Sequence, residues 1–204
     1  MAPDAIALNL EPEAATQDEE RGLVLAARTD KEAVAQLYEK YYQPIFRYIY
    51  RSTLNHASSE DLTSNVFLSA FRHLGSFRWR RIPFRAWLYR IATNEVRMYY
   101  RRQARFKSSP LEDAAAELPD PASPQDDMAA LEQYRLLHRA LLQLRPKFRT
   151  AIILHYFERK PVAEIAVITN RSLGAVKSRL HRGLAELQGI LARQGILKTE
   201  RSCL

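Results

Sequence analysis

The sequence predicts an all-α protein: two small helical domains joined by a flexible acidic linker, the C-terminal one a helix-turn-helix. Three observations carry that expectation. Apolar residues recur at helical spacing from Asp30 to Lys107 and again beyond Leu131, with little strand-like alternation. Between them, Ser108 to Asp127 holds four prolines and no basic residue, the composition of a linker. Near the C-terminus a short turn at Thr169 and Asn170 separates two helical stretches, the second of them cationic. The expected organisation is a disordered acidic tail over 1–27, a helical domain over 28–107, the linker over 108–130, a second helical domain over 131–191 and a tail over 192–204.

Residues 1 to 20 carry six acids and no base, and without apolar periodicity they are expected to have no fold. From Asp30, Val34, Leu37, Tyr38, Tyr41, Ile45, Tyr48 and Ile49 keep a 3.6-residue rhythm, which Pro44 is expected to kink or split. Ser58 or Ser59 can cap the next helix, with Glu60 and Asp61 in its first turn where the helix dipole favours anions. Along it, Asp61, Ser64, Asn65, Leu68 and Arg72 share a polar side. An apolar Leu68 amid that side fits either a protein-docking face or a single exposed leucine.

Gly75 ends that helix. The loop that follows crowds together Phe77, Arg78, Trp79, Arg80 and Arg81, a combination able to form a pocket for an extruded base. Pro83 suits a helix first turn. Phe84, Trp87, Leu88, Ile91, Met98 and Tyr99 then line one side of the predicted helix, and Arg90, Asn94, Arg97 and Arg101 another, with Tyr89, Thr93 and Tyr100 beside them. From Arg78 to Lys107 there are ten Lys or Arg against one acid, Glu95. Helix surfaces usually mix signs, so a one-signed face with aromatics points to single-stranded or opened nucleic acid. Arginine meets phosphate in bidentate geometry, and each base stacked on a ring gains roughly 1–3 kcal/mol.

The linker reads as a plain spacer or as an anionic strip over a basic surface. Beyond it Leu131 to Leu144 is expected to be helical, Arg145-Pro146 to break it, and Thr150 to Phe157 to follow. After the next helix, Asn170 supplies the left-handed residue of the turn and Ser172 the cap of the last helix. There Leu173, Val176, Leu180, Leu184 and Leu187 form the expected buried seam. Arg171, Ser172, Ala175, Ser178, Arg179 and Arg182 point outward, flanked by Lys177 and His181. No acid occurs between Glu164 and Glu186, so that face does not repel phosphate.

The net charge of +8 suits a polyanionic partner. The single cysteine, Cys203, permits no internal disulfide or cysteine metal cluster. Five scattered histidines lack ligand spacing, and no cofactor, metal or catalytic set is indicated. No apolar run approaches the ~20 residues that span a bilayer, and the acidic start is unlike a signal peptide; no membrane insertion and a cytoplasmic location are expected.

The order of a basic aromatic helix, an acidic tether and a C-terminal helix-turn-helix resembles the extracytoplasmic-function group of the sigma-70 family. The resemblance rests on Asp61-Leu62, Val66-Phe67-Leu68, Phe71, Phe77, Trp87 to Ala92, Asn94 and Arg101-Arg102 in the first domain. In the second it rests on Ala140-Leu141, Leu144-Arg145-Pro146, Arg149, Glu164-Ile165-Ala166 and Val176 to Leu180. It implies a promoter-specificity subunit without covalent chemistry. Asp61, Ser64, Asn65, Leu68 and Arg72 would then dock on core RNA polymerase. Phe77, Arg78, Trp79, Arg80, Arg81, Arg90, Asn94, Arg97 and Arg101 would open and hold the minus-10 element. Arg171, Ser172, Ala175, Lys177, Ser178, Arg179 and Arg182 would read the minus-35 element. An anti-sigma factor would be a partner that masks these faces. The sequence departs from the family's usual pattern at Ser64-Asn65, where Gln-Glu is common, at Met98, and at Arg171 and Ala175. The competing expectation is a stand-alone helix-turn-helix regulator that is not a polymerase subunit.

Overall fold

The computed structural model describes residues 11–79, 82–106 and 128–195. Among them the regular elements are helical, in two halves. The first holds α1 (Glu11–Ala26), α2 (Lys31–Thr53), α3 (His56–His73), a 3-10 turn (Leu74–Ser76) and α4 (Phe84–Phe106). The second holds α5 (Met128–Gln143), α6 (Pro146–Ile152), a π turn (Ile153–Phe157), α7 (Val162–Thr169) and α8 (Leu173–Arg193).

The aliphatic and aromatic rhythm of α2 becomes a buried stripe of Leu37, Tyr41, Ile45, Tyr48 and Ile49, packed against Val66 and Phe67 of α3 and Phe84 and Leu88 of α4. Each such side chain contributes about 1.5–3 kcal/mol when taken from water. Asp30 starts α2 by accepting from the Glu32 N–H at 2.9 Å. Pro44 neither splits nor ends this helix; Lys40, whose carbonyl loses its helical donor, lies on the exposed side. The cap of α3 is Asn55, which accepts from the Ser58 N–H at 2.7 Å, and not Ser58 or Ser59. Ser59 is instead fully buried, bonded to Thr53 and to the Asn55 carbonyl. Because α3 begins at His56, Glu60 and Asp61 lie beyond its first turn.

The expected disordered tail is a helix over Glu11–Ala26. Val24 and Ala27 bury an apolar edge, and Glu20, also buried, accepts from the Tyr41 hydroxyl. Two buried apolar positions at the end of an acidic stretch, with Glu20 bonded to Tyr41, suffice because α2 offers them a surface. Residues 1–10 lie outside the described residues.

In the second half α5 begins at Met128, inside the expected linker; the rest of that linker is outside the described residues, as is the tail from residue 196. Pro146 opens α6 at its first position. The expected helix from Thr150 to Phe157 is instead the end of α6 followed by the π turn. Leu141, Ile152, Ile153, Leu154, Ile165 and Ile168 make the core of this half. Gly183 of α8 lies so close to α6 that an added Cβ would meet the Ile152 Cδ1 at 3.0 Å and the Phe148 Cβ at 3.1 Å.

The halves are packed together through α4 and α7, and their cores form one continuous cluster. Glu158, just after the π turn, accepts from both Arg51 of α2 and Tyr89 of α4 at 2.8 Å. The pair with Arg51 leaves the two side chains 15% and 8% exposed. Glu164 of α7 pairs with Arg85 at 3.3 Å and Lys160 at 3.5 Å. The Arg149 guanidinium lies 4.2 Å from the Tyr100 ring centre.

Candidate nucleic-acid interface

The side of α4 that its sequence pattern reserves for packing is buried through Phe84, Leu88 and Ala92. Two expected members behave differently. Met98 is exposed, and Tyr89, expected beside the cations, is buried with its hydroxyl on Glu158. Burial and the neighbouring Glu158 carboxylate push the Tyr89 phenol pKa upward. Tyr100 is likewise drawn inward, donating to the Ser52 carbonyl at 2.6 Å, and burial raises its pKa. Asn94, Arg97 and Arg101 are exposed, and Arg90 is half-buried. They form the cationic face, with fewer rings beside it than the sequence suggests.

The loop before α4 is built on an aromatic support. Phe77 is 6% exposed, with ring centres of Trp79, Phe84 and Trp87 at 5.8, 5.8 and 4.8 Å. Its ring is thus part of the core, which corrects the expectation that it faces a base. Trp79 is half-buried against it and Arg78 is exposed, its guanidinium donating to the Gly75 carbonyl at 3.1 Å. Arg80 and Arg81 lie outside the described residues. Hollows of about 250 Å³ and 390 Å³ flank the loop; Arg28 and Leu25 line the first, Ser69 and Ile82 the second, and Phe77 and Arg78 both. Arg28 donates to the Phe77 carbonyl at 2.8 Å. Sequence reasoning missed Arg28, for it lies at the edge of a segment expected to be unfolded.

The start of α8 follows its local code. Asn170 adopts φ 52° and its N–H closes α7 on the Ala166 and Val167 carbonyls; asparagine tolerates this left-handed geometry. Ser172 accepts from the Ala175 N–H at 3.3 Å. Val176, Leu180 and Leu187 are buried as expected, whereas Leu173 is 52% exposed, being at the first helical position, ahead of the packed seam. Arg171, Ser172, Lys177 and Arg182 are exposed, and Ala175, Ser178 and Arg179 half-buried. Burial first, then the nearby Arg171 charge, lowers the Arg179 pKa.

On α3, Asp61, Ser64, Asn65, Leu68 and Arg72 are all exposed, Leu68 at 63%. This is a separate face, with Leu62, Val66 and Phe67 buried behind it.

Parts of the two cationic faces meet at one cleft of about 510 Å³, whereas Arg101, Ser172, Ala175, Lys177, Ser178 and Arg182 do not line it. Arg90, Asn94 and Arg97 line it from α4, and Arg171 and Arg179 from the turn and α8. Lys147 and Arg149 line it from α6. These last two were not among the expected site residues, because their spacing marks no face of a long helix.

The family described as sigma-70 region 2 matches residues 37–106, and sigma-70 region 4 matches residues 134–187. The ECF RNA polymerase sigma factor SigW of Bacillus subtilis is 32% identical over 167 residues, covering 78% of this chain and 89% of SigW. The ECF RNA polymerase sigma factor BldN of Streptomyces coelicolor is 31% identical over 185 residues, 87% of this chain and 69% of BldN. Among solved structures, CnrH in complex with the cytosolic domain of CnrY superimposes with a TM-score of 0.64 at 24% identity, covering 85% of this chain and 97% of that one. RpoE of Bartonella quintana, in complex with the anti-sigma factor NepR, gives a TM-score of 0.64 at 23% identity over 78% of this chain and 96% of its own.

Proposed function

The chain belongs to the extracytoplasmic-function group of the sigma-70 family and is a promoter-specificity subunit of bacterial RNA polymerase, and from that premise we propose how its residues divide the work. Its partners are core polymerase and promoter DNA. The exposed face of Asp61, Ser64, Asn65, Leu68 and Arg72 docks on the polymerase, with Leu68 as the apolar anchor. Arg90, Asn94, Arg97 and Arg101 hold the opened strand of the minus-10 element. The hollows beside Arg78 and Trp79 receive an extruded base, while Phe77 supports them from beneath; Arg80 and Arg81 complete this loop. Arg171, Ser172, Ala175, Lys177, Ser178, Arg179 and Arg182 read the minus-35 duplex. Residues 28–107 act as the region 2 unit and 131–191 as the region 4 unit.

One observation supports the reading of the mechanism: Arg90, Asn94 and Arg97 of the minus-10 set and Arg171 and Arg179 of the minus-35 set line the same cleft. A duplex has no room between them, so promoter engagement requires the halves to separate at the Glu158 and Glu164 contacts. Binding energy from phosphates and stacked bases offsets the unpairing of the minus-10 element, and no bond is made or broken by the chain itself. Initiation takes place in the cytoplasm. An anti-sigma factor, of the kind bound to RpoE in the solved complex, would keep these faces from their targets.

The test is competition for core RNA polymerase between this chain and a second sigma factor, followed by binding to a promoter fork. Tight competitive binding, with a preference for forked over fully paired DNA, is expected. Duplex binding without polymerase association would favour a stand-alone regulator.

A further inference from the structure

Among the described residues six cations and no carboxylate line the cleft between the halves: Arg90, Arg97, Lys147, Arg149, Arg171 and Arg179. Surfaces that meet within one chain ordinarily mix signs, because like charges in a narrow gap repel. The acids that join the halves do not relieve this. Glu158 and Glu164 serve Arg51, Arg85 and Lys160, none of which lines the cleft.

Arg149 makes the deficit acute. It is 4% exposed, and its guanidinium donates to the Leu142 carbonyl at 3.2 Å and lies 4.2 Å from the Tyr100 ring centre. Among the described residues no carboxylate lies within ion-pair distance of it. A buried guanidinium of this kind is costly unless an anion meets it.

We propose that the cleft is a binding site for a compact polyanion of oligophosphate chemistry, which bridges the two halves and holds their DNA faces together. At about 510 Å³ it has the size of a small-ligand site. Thr93, Asn94, Thr150 and Asn170 add neutral polar groups to its wall, and arginine forks match phosphate oxygens in bidentate geometry. The ligand acts as a counter-ion that favours the closed arrangement, and so opposes promoter binding by mass action. Only this last consequence rests on the DNA roles proposed above.

The full chain is titrated calorimetrically with tripolyphosphate at fixed ionic strength, with sulfate at equal charge as control and metal-free ATP as a parallel arm. Saturable one-to-one binding, at least tenfold tighter for tripolyphosphate than sulfate, is expected. Lys147→Ala and Arg149→Gln should each weaken it about tenfold, the scale of one charge-assisted contact. Lys147 is exposed, so its variant keeps the test decisive where Arg149→Gln fails to fold. ATP binding more tightly than tripolyphosphate assigns the site to a nucleotide; equal affinity assigns it to the phosphate chain alone. Binding no tighter than sulfate, or indifferent to Lys147→Ala, overturns the proposal as general charge screening. Saturable binding that leaves promoter affinity unchanged keeps the site and overturns the DNA assignment instead.

Discussion

Helices α4 and α8 both present arginines to the same cleft, yet they are held in place by different means. Behind α4 lies an aromatic lattice of Tyr41, Tyr48, Phe77, Phe84, Trp87 and Tyr89, most of it in edge or tilted contacts. Behind α8 lies a largely aliphatic wall of Ile152, Ile165 and Ile168, which the helix approaches closely at Gly183. Tyrosines carry hydroxyls that must find partners when buried, and two of the three in α4 find them in other elements, Tyr89 on Glu158 and Tyr100 on Ser52, while Tyr99 accepts from Gln103 within the helix. The position of α4 is therefore shared with the second half of the chain. That of α8 is settled locally by Asn170, Ser172 and Gly183. Two helices can be equally basic and still differ in how much of the molecule fixes them.

The largest effect that would break this contrast is expected from Glu158→Gln. Removing that charge weakens the buried ion pair that joins α2 to the second half, although Arg51 keeps its hydrogen bond with Tyr134, and the halves should separate more readily. The radius of gyration in solution scattering should rise. Promoter-fork binding should strengthen by about tenfold or more, because the competent population is no longer taxed. An unchanged shape with weaker binding would mean that the inter-half contact does not restrain α4.

Next in size is Gly183→Ala. The methyl would lie 3.0 Å from the Ile152 Cδ1 and 3.1 Å from the Phe148 Cβ; overpacking of about 1–3 kcal/mol, offset by the roughly 1 kcal/mol alanine gains in a helix interior, should leave a net loss and loosen the seat of α8. Thermal unfolding should fall, and duplex binding should weaken while forked-strand contacts by α4 persist. Equal loss of both would show that the two helices are not independently seated.

Arg179→Ala and the pair Arg90→Ala with Arg97→Ala sharpen the division of labour. The first should alter minus-35 sequence preference by about 1–3 kcal/mol. The second should slow opening, read by permanganate reactivity, and leave duplex contact intact. Both sets failing at one step would contradict it.

The smallest effect belongs to Glu186 of α8, which accepts from the Arg145 backbone N–H and from its guanidinium, at 2.6 Å in the shortest contact. The side-chain and backbone hydrogen bonds from Arg145 hold its carboxyl below the ordinary value of 4.5. Its stabilisation is therefore complete above that value and fades as pH falls through the lowered one. Glu186→Gln should lower the melting temperature slightly at pH 7, with the difference vanishing in acid.

The helical periods of α2, α4 and α8 were readable because each has one buried side over several turns, and the turn at Asn170 because its residue types are specialised. The exposure of Leu68 and the burial of Val176 and Leu180 follow from the same geometry. What could not be read depended on contacts far apart in sequence. Tyr89 leaves the cationic face for the core beside Tyr48, where Glu158, 69 residues on, offers its hydroxyl an acceptor. The fold of α1 depends on a surface that α2 creates, and Lys147 and Arg149 become cleft residues only when the halves meet. Phe77 belongs to the core through ring contacts with Trp79, Phe84 and Trp87, which its arginine neighbours in sequence do not signal.

The bond from Arg28 to the Phe77 carbonyl spans 49 positions and gives the α1–α2 junction a mechanical role. It acts as a splint, so the stiffness of the loop bearing Arg78 and Trp79 is set from upstream of the region 2 match. A substitution at Arg28 would remove this brace and one wall of the hollow that Phe77, Arg78 and Trp79 also line.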